Sequence, residues 1–330
     1  MRARSLWFVG PRRVEIRTSD VDTTDRGRLV VRTVASGIST GTELLAYRGE
    51  IDPSTPLDET LGAFGGTFAF PFRYGYSCVG RVERPAPRFA EGATVFAFHP
   101  HQDVIVADPR DVVTVDEVDP RIATLLPLVE TALQVATDAN ARVGDLAVVA
   151  GLGAIGLLTS LLLQRSAADV IGVDLREDRR KLALDLGIVA VAPEDAADAV
   201  RARANGAGAD VAIEASGRPD ALGPLLDVLR HEGTALVASW YGSRTAEIPL
   251  GGAFHRRRLA IKSTQVSTIP ADQASRWDRG RRLGLARELL GVLPLDALGA
   301  RTFPFERAPD AYRALDEAEP GLLHATLDYG

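Results

Sequence analysis

The stretch from Asp145 to Asp174 constrains this chain more than any other. It reads as a short apolar strand (Leu146 to Val149), the turn Gly151-Leu152-Gly153-Ala154-Ile155-Gly156, an apolar run through Leu163, a second strand (Val170 to Val173) and an acid. Strand, glycine turn, helix, strand and carboxylate in that order make a βαβ unit suited to a dinucleotide. Gly151 permits the tight turn, Gly153 lets backbone approach a pyrophosphate, and Gly156 lets helix and strand pack closely. The phosphates then rest on the helix N-terminus at Ala154 and Ile155, where free N–H groups and the dipole favour anions. Asp174 follows Gly156 at about the spacing, roughly 20 residues, of the acid that accepts the ribose hydroxyls. An anion there repels a 2′-phosphate, so NAD is expected rather than NADP.

A chain of 330 residues exceeds one comfortable core, which makes two domains the expectation. With 46% hydrophobic and 25% charged residues the composition is that of an ordinary soluble protein. The formal charge of −6 and pI near 5.5 argue against a nucleic-acid or anionic-membrane footprint and leave a small-molecule substrate as the expected partner. Cys78 is the only cysteine, which excludes an internal disulfide and a four-cysteine zinc site. The N-terminus lacks the apolar core of a signal peptide, and the apolar run Leu157 to Leu163 is too short to span a bilayer, so a cytoplasmic location is expected.

In chain order, Ser5 to Val34 alternates in the manner of strands, with turns at Gly10-Pro11 and Arg26-Gly27. Strand-like segments continue over Arg73 to Val82, Ala93 to Phe98 and Asp103 to Val106, and no helical period is convincing before about residue 119. Helical spacing runs from Arg121 to about Ala141. After the nucleotide unit come helix (Glu177 to Leu186), strand (Ile188 to Val191), helix (Glu194 to Ala204), strand (Asp210 to Ala215), helix (Pro219 to Arg230) and strands Thr234 to Ser239 and Leu259 to Thr264. Alternating strands and helices predict a parallel, doubly wound sheet. A basic helix is expected over Ala271 to Leu293, then a strand at Ala300 to Phe303, a helix at Ala308 to Glu317 and a last strand at His324 to Tyr329.

This plan resembles the medium-chain dehydrogenase/reductase superfamily, of the zinc alcohol dehydrogenase type. Gly37-Ile38-Ser39-Thr40-Gly41-Thr42-Glu43 sits where that family has a Gly-Ile-Cys zinc-ligand turn, Arg73-Tyr74-Gly75-Tyr76-Ser77-Cys78-Val79-Gly80 where it has Gly-His-Glu, and Asp210 to Gly217 is similar to its fourth-strand signature. The resemblance implies an α/β chain: a GroES-like β-rich catalytic domain (1–120), a Rossmann NAD-binding domain (121–265) and a return segment (266–330). Ser39 stands at the cysteine ligand position, Tyr76 at the histidine, Ser77 at its neighbouring glutamate and Pro127 at the third ligand. Hydroxyls and a proline do not supply thiolate and imidazole, so no metal site is expected. The SGISTGTE stretch looks most like the bacteriochlorophyllide a dehydrogenase branch, which oxidises a 1-hydroxyethyl side chain. Family members often pair the edge of the nucleotide sheet, here Phe254 to Thr264, across a two-fold axis, so a homodimer is expected.

Without zinc, a proton-transfer group and a polarising group must both come from side chains. Thr42 aligns with the family's proton-relaying hydroxyl; it reads equally as a turn threonine. Tyr76 could aim its phenol at the substrate oxygen, or fill the vacated metal space. His99 falls where the family has a substrate-pocket aromatic, and an ordinary pKa near 6.5 suits acid–base work, which makes it the first choice. His101 is expected one step out. Glu130 lies a turn beyond Pro127 and is costly if dry, so it is partnered or functional. Thr131 matches a threonine that touches nicotinamide. For the cofactor, Arg179 is expected along the adenosine and His324 at the pyrophosphate, with Ser216 among the cofactor contacts and Ser239, Trp240 and Tyr241 closing the fifth strand beside the nicotinamide. Trp277 to Arg282 reads either as a solvated basic face or as a contact for an anionic substrate.

The expected function is a zinc-independent, NAD(H)-dependent oxidoreductase interconverting a secondary alcohol and a ketone. Two alternatives stand beside it. An enoyl or quinone reductase of the same superfamily is disfavoured by Asp174, since those enzymes mostly use NADPH. A catalytically silent NAD-binding sensor is disfavoured by the set His99, Glu130 and Thr42.

Overall fold

The turn at Gly10-Pro11 folds the N-terminal residues into an antiparallel hairpin of Arg2–Gly10 and Arg13–Asp20. Alternation decides which way it faces: Leu6 and Phe8 are fully buried while Trp7 between them is half-exposed. The computed structural model describes residues 1–330 and divides into two units, one of residues 1–127 with 283–330, the other of 128–282. The return to the first unit thus begins at Leu283, later than the expected 266, because Arg282 is anchored inside the nucleotide unit.

In the first unit a seven-stranded sheet is ordered Ala300–Pro304, His324–Asp328, Leu29–Ile38, Cys78–Arg84, Thr94–Ala97, Val112–Thr114, with Val104–Ala107 also paired to Leu29–Ile38. The pairs of Leu29–Ile38 are antiparallel, whereas the two C-terminal strands pair with each other in parallel. The helix Ala308–Asp316 buries Ala308, Ala311, Tyr312 and Leu315 on one stripe. The Tyr312 ring meets Phe8 edge-on at 5.4 Å, and Phe8 stacks on Phe72 at 5.1 Å.

Several elements differ from expectation. A helix over Thr42–Arg48 is absent from the sequence reading because Glu43, Leu44, Leu45, Ala46 and Tyr47 are all buried, which erases the amphipathic period. The strand expected from Arg73 starts only at Cys78, since Gly75 takes a φ of +100° that breaks extended backbone. The helix expected over 121–141 is two, Pro120–Ala123 and Leu126–Ala139. Pro127 would clash in a helix interior but is tolerated in the first turn of a new one. The basic helix spans only Arg279–Leu290, where Asp278 caps it by accepting the Arg281 N–H at 2.7 Å.

The second unit holds a six-stranded parallel sheet in the order Val189–Val191, Asp169–Val173, Leu146–Ala150, Ala209–Glu214, Leu229–Val237, Ala260–Ser263. Its central strands are continuous apolar runs, as burial on both faces demands; Val148, Val149 and Ile213 have no exposure. The chain winds outward from Leu146–Ala150 one way, then returns through Ala209–Glu214, and such a reversal opens a crevice at the carboxyl ends of those strands. The expected edge strand at 254–264 is only Ala260–Ser263, because Leu250–Phe254 forms irregular helical turns kinked at Gly252 and the chain turns at Arg258, whose φ is +53°. No helix is long and apolar enough to cross a membrane.

Candidate functional site

Two sites are built from these elements, one in each unit. In the nucleotide unit, Gly151 has a φ of +92°, and a Cβ there would lie 2.4 Å from the Ser216 Cα. The turn and the exit of the neighbouring strand therefore touch backbone to backbone. A Cβ on Gly156 would fall 1.8 Å from the Gly151 carbonyl oxygen, so helix and turn are equally close. Gly153 is the opposite case: its open side meets nothing nearer than Arg179 Nη1 at 3.9 Å. Gly153 caps the helix Ala154–Arg165 without any side-chain hydrogen bond, so the first-turn N–H groups, those of Ala154 and Ile155 among them, have no side-chain cap.

Asp174 is 7% exposed and fixed by backbone: Oδ2 accepts the Leu152 N–H at 2.7 Å and Oδ1 the Arg176 N–H at 2.8 Å. A carboxylate offers about four lone-pair sites, so capacity remains for ribose hydroxyls. Arg179 Nη1 stands 3.7 Å from Asp174 Oδ2, and its buried Nε has no partner. Arg179 thus lies over the turn between Asp174 and Gly153. Ser216 and Ser239 bind within the protein: Ser216 N and Oγ both donate to Glu214 Oε1, at 2.7 and 2.5 Å, and Ser239 Oγ accepts the Gly217 N–H at 2.9 Å. Trp240 is exposed beside them. Glu214, fully buried, also takes the Tyr241 hydroxyl at 2.8 Å, and burial followed by that carboxylate raises the phenol's pKa. The sequence reading passed over Glu214; the acid inside the DVAIEASG run was the available signal.

In the first unit the Tyr76 phenol lies near the side chains of Ser39 and Thr42, a cluster of neutral hydroxyls whose polarity favours the phenolate slightly. Burial, then the charge of Glu43, pushes the phenol up to about 12. Tyr76 and Thr42 are partly exposed, so these hydroxyls can reach a ligand. Ser77 instead donates to the Thr124 carbonyl at 2.6 Å. Behind the cluster lies a network in which Ser36, His101, Glu43 and Tyr312 have no exposure and Tyr329 is partly buried. Tyr329 and Ser36 hydroxyls are 2.9 Å apart, Ser36 Oγ is 2.7 Å from His101 Nδ1, His101 Nε2 is 2.9 Å from Glu43 Oε2, and the Tyr312 hydroxyl donates to the same oxygen at 2.5 Å. Glu43 Oε1 accepts the Ser39 N–H at 2.8 Å and so connects network to cluster. His101, expected one step out, is therefore the interior histidine. Gly75 makes its space, since a Cβ there would lie 2.4 Å from the imidazole.

Other expectations are corrected. His99 is 9% exposed with Nδ1 2.9 Å from the Pro100 carbonyl, and burial pushes its pKa down to about 4, so it is neutral near pH 7 and a poor acid. His324 is 1% exposed, its Nε2 is 3.1 Å from Thr124 Oγ1 and its Nδ1 is buried without a partner; the ring offers no exposed nitrogen to a pyrophosphate. Glu130 is held by Arg282 at 2.9 Å with both side chains buried, which makes it a structural ion pair in the nucleotide unit. Thr131, its neighbour, is half-buried. Arg282 is accordingly not part of a solvated basic face. The family's zinc-ligand positions carry Ser39, Tyr76 and Pro127, Cys78 is a buried thiol pushed up to about 12, and no three His, Cys, Asp or Glu side chains gather.

Residues 154–278 match the family described as zinc-binding dehydrogenase, a segment that does not include Ser39, Tyr76 or Pro127. D-guloside 3-dehydrogenase of Escherichia coli is 32% identical over 190 residues, 56% of this chain and 54% of that protein, so the chain matches about half of that relative's length. 2-Desacetyl-2-hydroxyethyl bacteriochlorophyllide A dehydrogenase of Cereibacter sphaeroides is 26% identical over 100% of this chain and 99% of its own. The crystal structure of 2R,3R-butanediol dehydrogenase from Bacillus subtilis superposes with a TM-score of 0.80 at 19% identity, covering 99% of this chain and 100% of that one. A β-rich unit completed by the chain's tail, a doubly wound sheet with its glycine turn, and these likenesses make the chain similar to the medium-chain dehydrogenase/reductase superfamily, with residues 154–278 matching the zinc-binding dehydrogenase family.

Proposed function

We propose that this protein is an NAD(H)-dependent oxidoreductase that interconverts a secondary alcohol and its ketone by hydride transfer, without zinc. The observation that carries the reading is Asp174, locked by two backbone N–H groups beside an uncapped helix N-terminus. That arrangement suits a pyrophosphate and a ribose with both hydroxyls free, and it disfavours a 2′-phosphate. Bound there, the nicotinamide supplies the hydride acceptor or donor. The dehydrogenases matched here are named for alcohol substrates, which supports CH–OH chemistry.

In place of a metal, the hydroxyls of Tyr76, Thr42 and Ser39 supply hydrogen bonds to the substrate oxygen. A phenol raised to about 12 stays protonated at neutral pH, so Tyr76 acts as a donor to developing alkoxide. Tyr76, rather than the neutral and buried His99, is therefore the donor. Ketone reduction should be followed by NADH absorbance with a panel of diols, polyols and their ketones, and NADH affinity by its fluorescence. Tyr76→Phe should lower kcat about 10²-fold or more at unchanged NADH affinity, whereas His99→Ala should stay within about ten-fold. The reverse order would make His99 the acid, and failure of NADH to bind the parent protein would reject the reading altogether.

A further inference from the structure

Arg73 is the anomaly of the first unit. The buried Arg282 is paired with Glu130 and the partly buried Arg48 with Asp316, but Arg73, half-buried, makes no ion pair. Its one hydrogen bond runs from Nη1 to the neutral Gln102 Oε1 at 2.8 Å. Gln102 is 2% exposed and donates its Nε2 to the Val104 carbonyl at 2.5 Å, which fixes the amide with its oxygen toward Arg73. The guanidinium also lies over the Trp7 ring, 5.7 Å from its centre. Burial lowers the Arg73 pKa, with no acidic neighbour to oppose it, yet a guanidinium keeps its charge in proteins.

This cation borders a cavity of about 350 Å³ whose apolar walls are Trp7, Leu57, Phe64 and Phe72 and whose polar surface includes Thr67 and the backbone of Gly65 and Gly66, with no acidic side chain in its lining. The volume is within the range of small-molecule sites, roughly 300–1,000 Å³. An uncompensated charge against apolar walls is costly, and an arriving anion relieves that cost. Most of the five guanidinium N–H donors are uncommitted, so a carboxylate can be met by the planar fork. One cation balances one negative charge, which suits a monoanion better than a phosphate dianion. We infer that the Trp7–Arg73 cavity is a binding site for a monocarboxylate carried on a flat apolar body. The acid side chains elsewhere give the chain its charge of −6, so such affinity would be local to this cavity.

The inference stands apart from the oxidoreductase reading, because its test needs neither cofactor nor turnover. Calorimetric titration of the full chain with 1-naphthoate and with the uncharged 1-naphthamide compares the two probes directly. The parent should prefer naphthoate by about ten-fold or more, equivalent to ~1.4 kcal/mol. Arg73→Met keeps the apolar stem and should abolish the preference. Ala69→Glu places a carboxylate on the exposed rim of the same cavity and should weaken naphthoate more than naphthamide. Should Arg73→Met fail to fold, the parent's preference and the Ala69→Glu result decide. Equal binding of the two probes by the parent, a preference that survives Arg73→Met, or an Ala69→Glu protein that treats both alike would overturn the proposal.

Discussion

Arg282→Met separates a structural Glu130 from a catalytic one. Arg282 and Glu130 side chains are only 4% and 6% exposed. Arg282 donates from Nε to Glu130 Oε1 at 2.9 Å, from Nη1 to Gln134 Oε1 at 2.7 Å and from Nη2 to the Val266 carbonyl at 2.5 Å. Methionine keeps much of the stem's packing and removes every one of these bonds. The carboxylate left behind is buried and unpaired, which costs about 3–5 kcal/mol near neutral pH. Burial already raises the Glu130 pKa above 4.5, with Arg282 the main counterweight, so the substitution raises it further. A carboxyl raised in the folded state is tolerated at pH below its unfolded value. Stability is then lost as pH climbs from about 4.5 to the folded value, by up to about 1.4 kcal/mol per pH unit, and levels off above it. Urea unfolding at pH 5, 6.5 and 8, followed by Trp240 and Trp277 fluorescence, should show a deficit against the parent that is smallest at pH 5. Adding Glu130→Gln should recover most of it. A deficit under about 1 kcal/mol at pH 8, or one that is flat with pH, would refute the reasoning and return Glu130 to the catalytic candidates.

The buried histidines make a second prediction. His99 and His324 are both lowered to about 4 by burial, whereas unfolded histidine takes its proton near 6.5. Between those values the unfolded chain binds more protons, so stability should fall as pH drops through that window, and His324→Gln should flatten the slope in circular-dichroism acid titrations. An unchanged slope would mean that His324 does not enter the fold neutral. For the cofactor, Asp174→Ser should narrow the gap between NADH and NADPH affinity measured by fluorescence; no gap in the parent counts against the ribose role. For metal, dialysed protein should hold well under one zinc per chain by elemental analysis and keep its activity in chelator, and stoichiometric zinc would overturn the zinc-free proposal.

The sequence by itself determined the parts whose physics is local. The glycine turn with Asp174, the alternation of strands and helices, and the hydroxyls at the zinc-ligand positions are all legible in residue order, because each depends on spacing along a few turns of chain. Helix boundaries at Pro127 and Asp278 follow local rules too, once capping and proline geometry are applied. Only the tertiary structure decided what neighbours the polar residues acquired. Glu43 meets His101 across 58 positions and Tyr312 across 269, and Glu130 meets Arg282 across 152. No periodicity in the chain encodes such pairings. The two histidines of Phe98-His99-Pro100-His101 look alike in the sequence, yet one faces its own backbone and the other enters a buried network through the space Gly75 leaves open. Their pKa values and roles depend on desolvation and on charges brought close by folding, and those arise only after distant segments have packed.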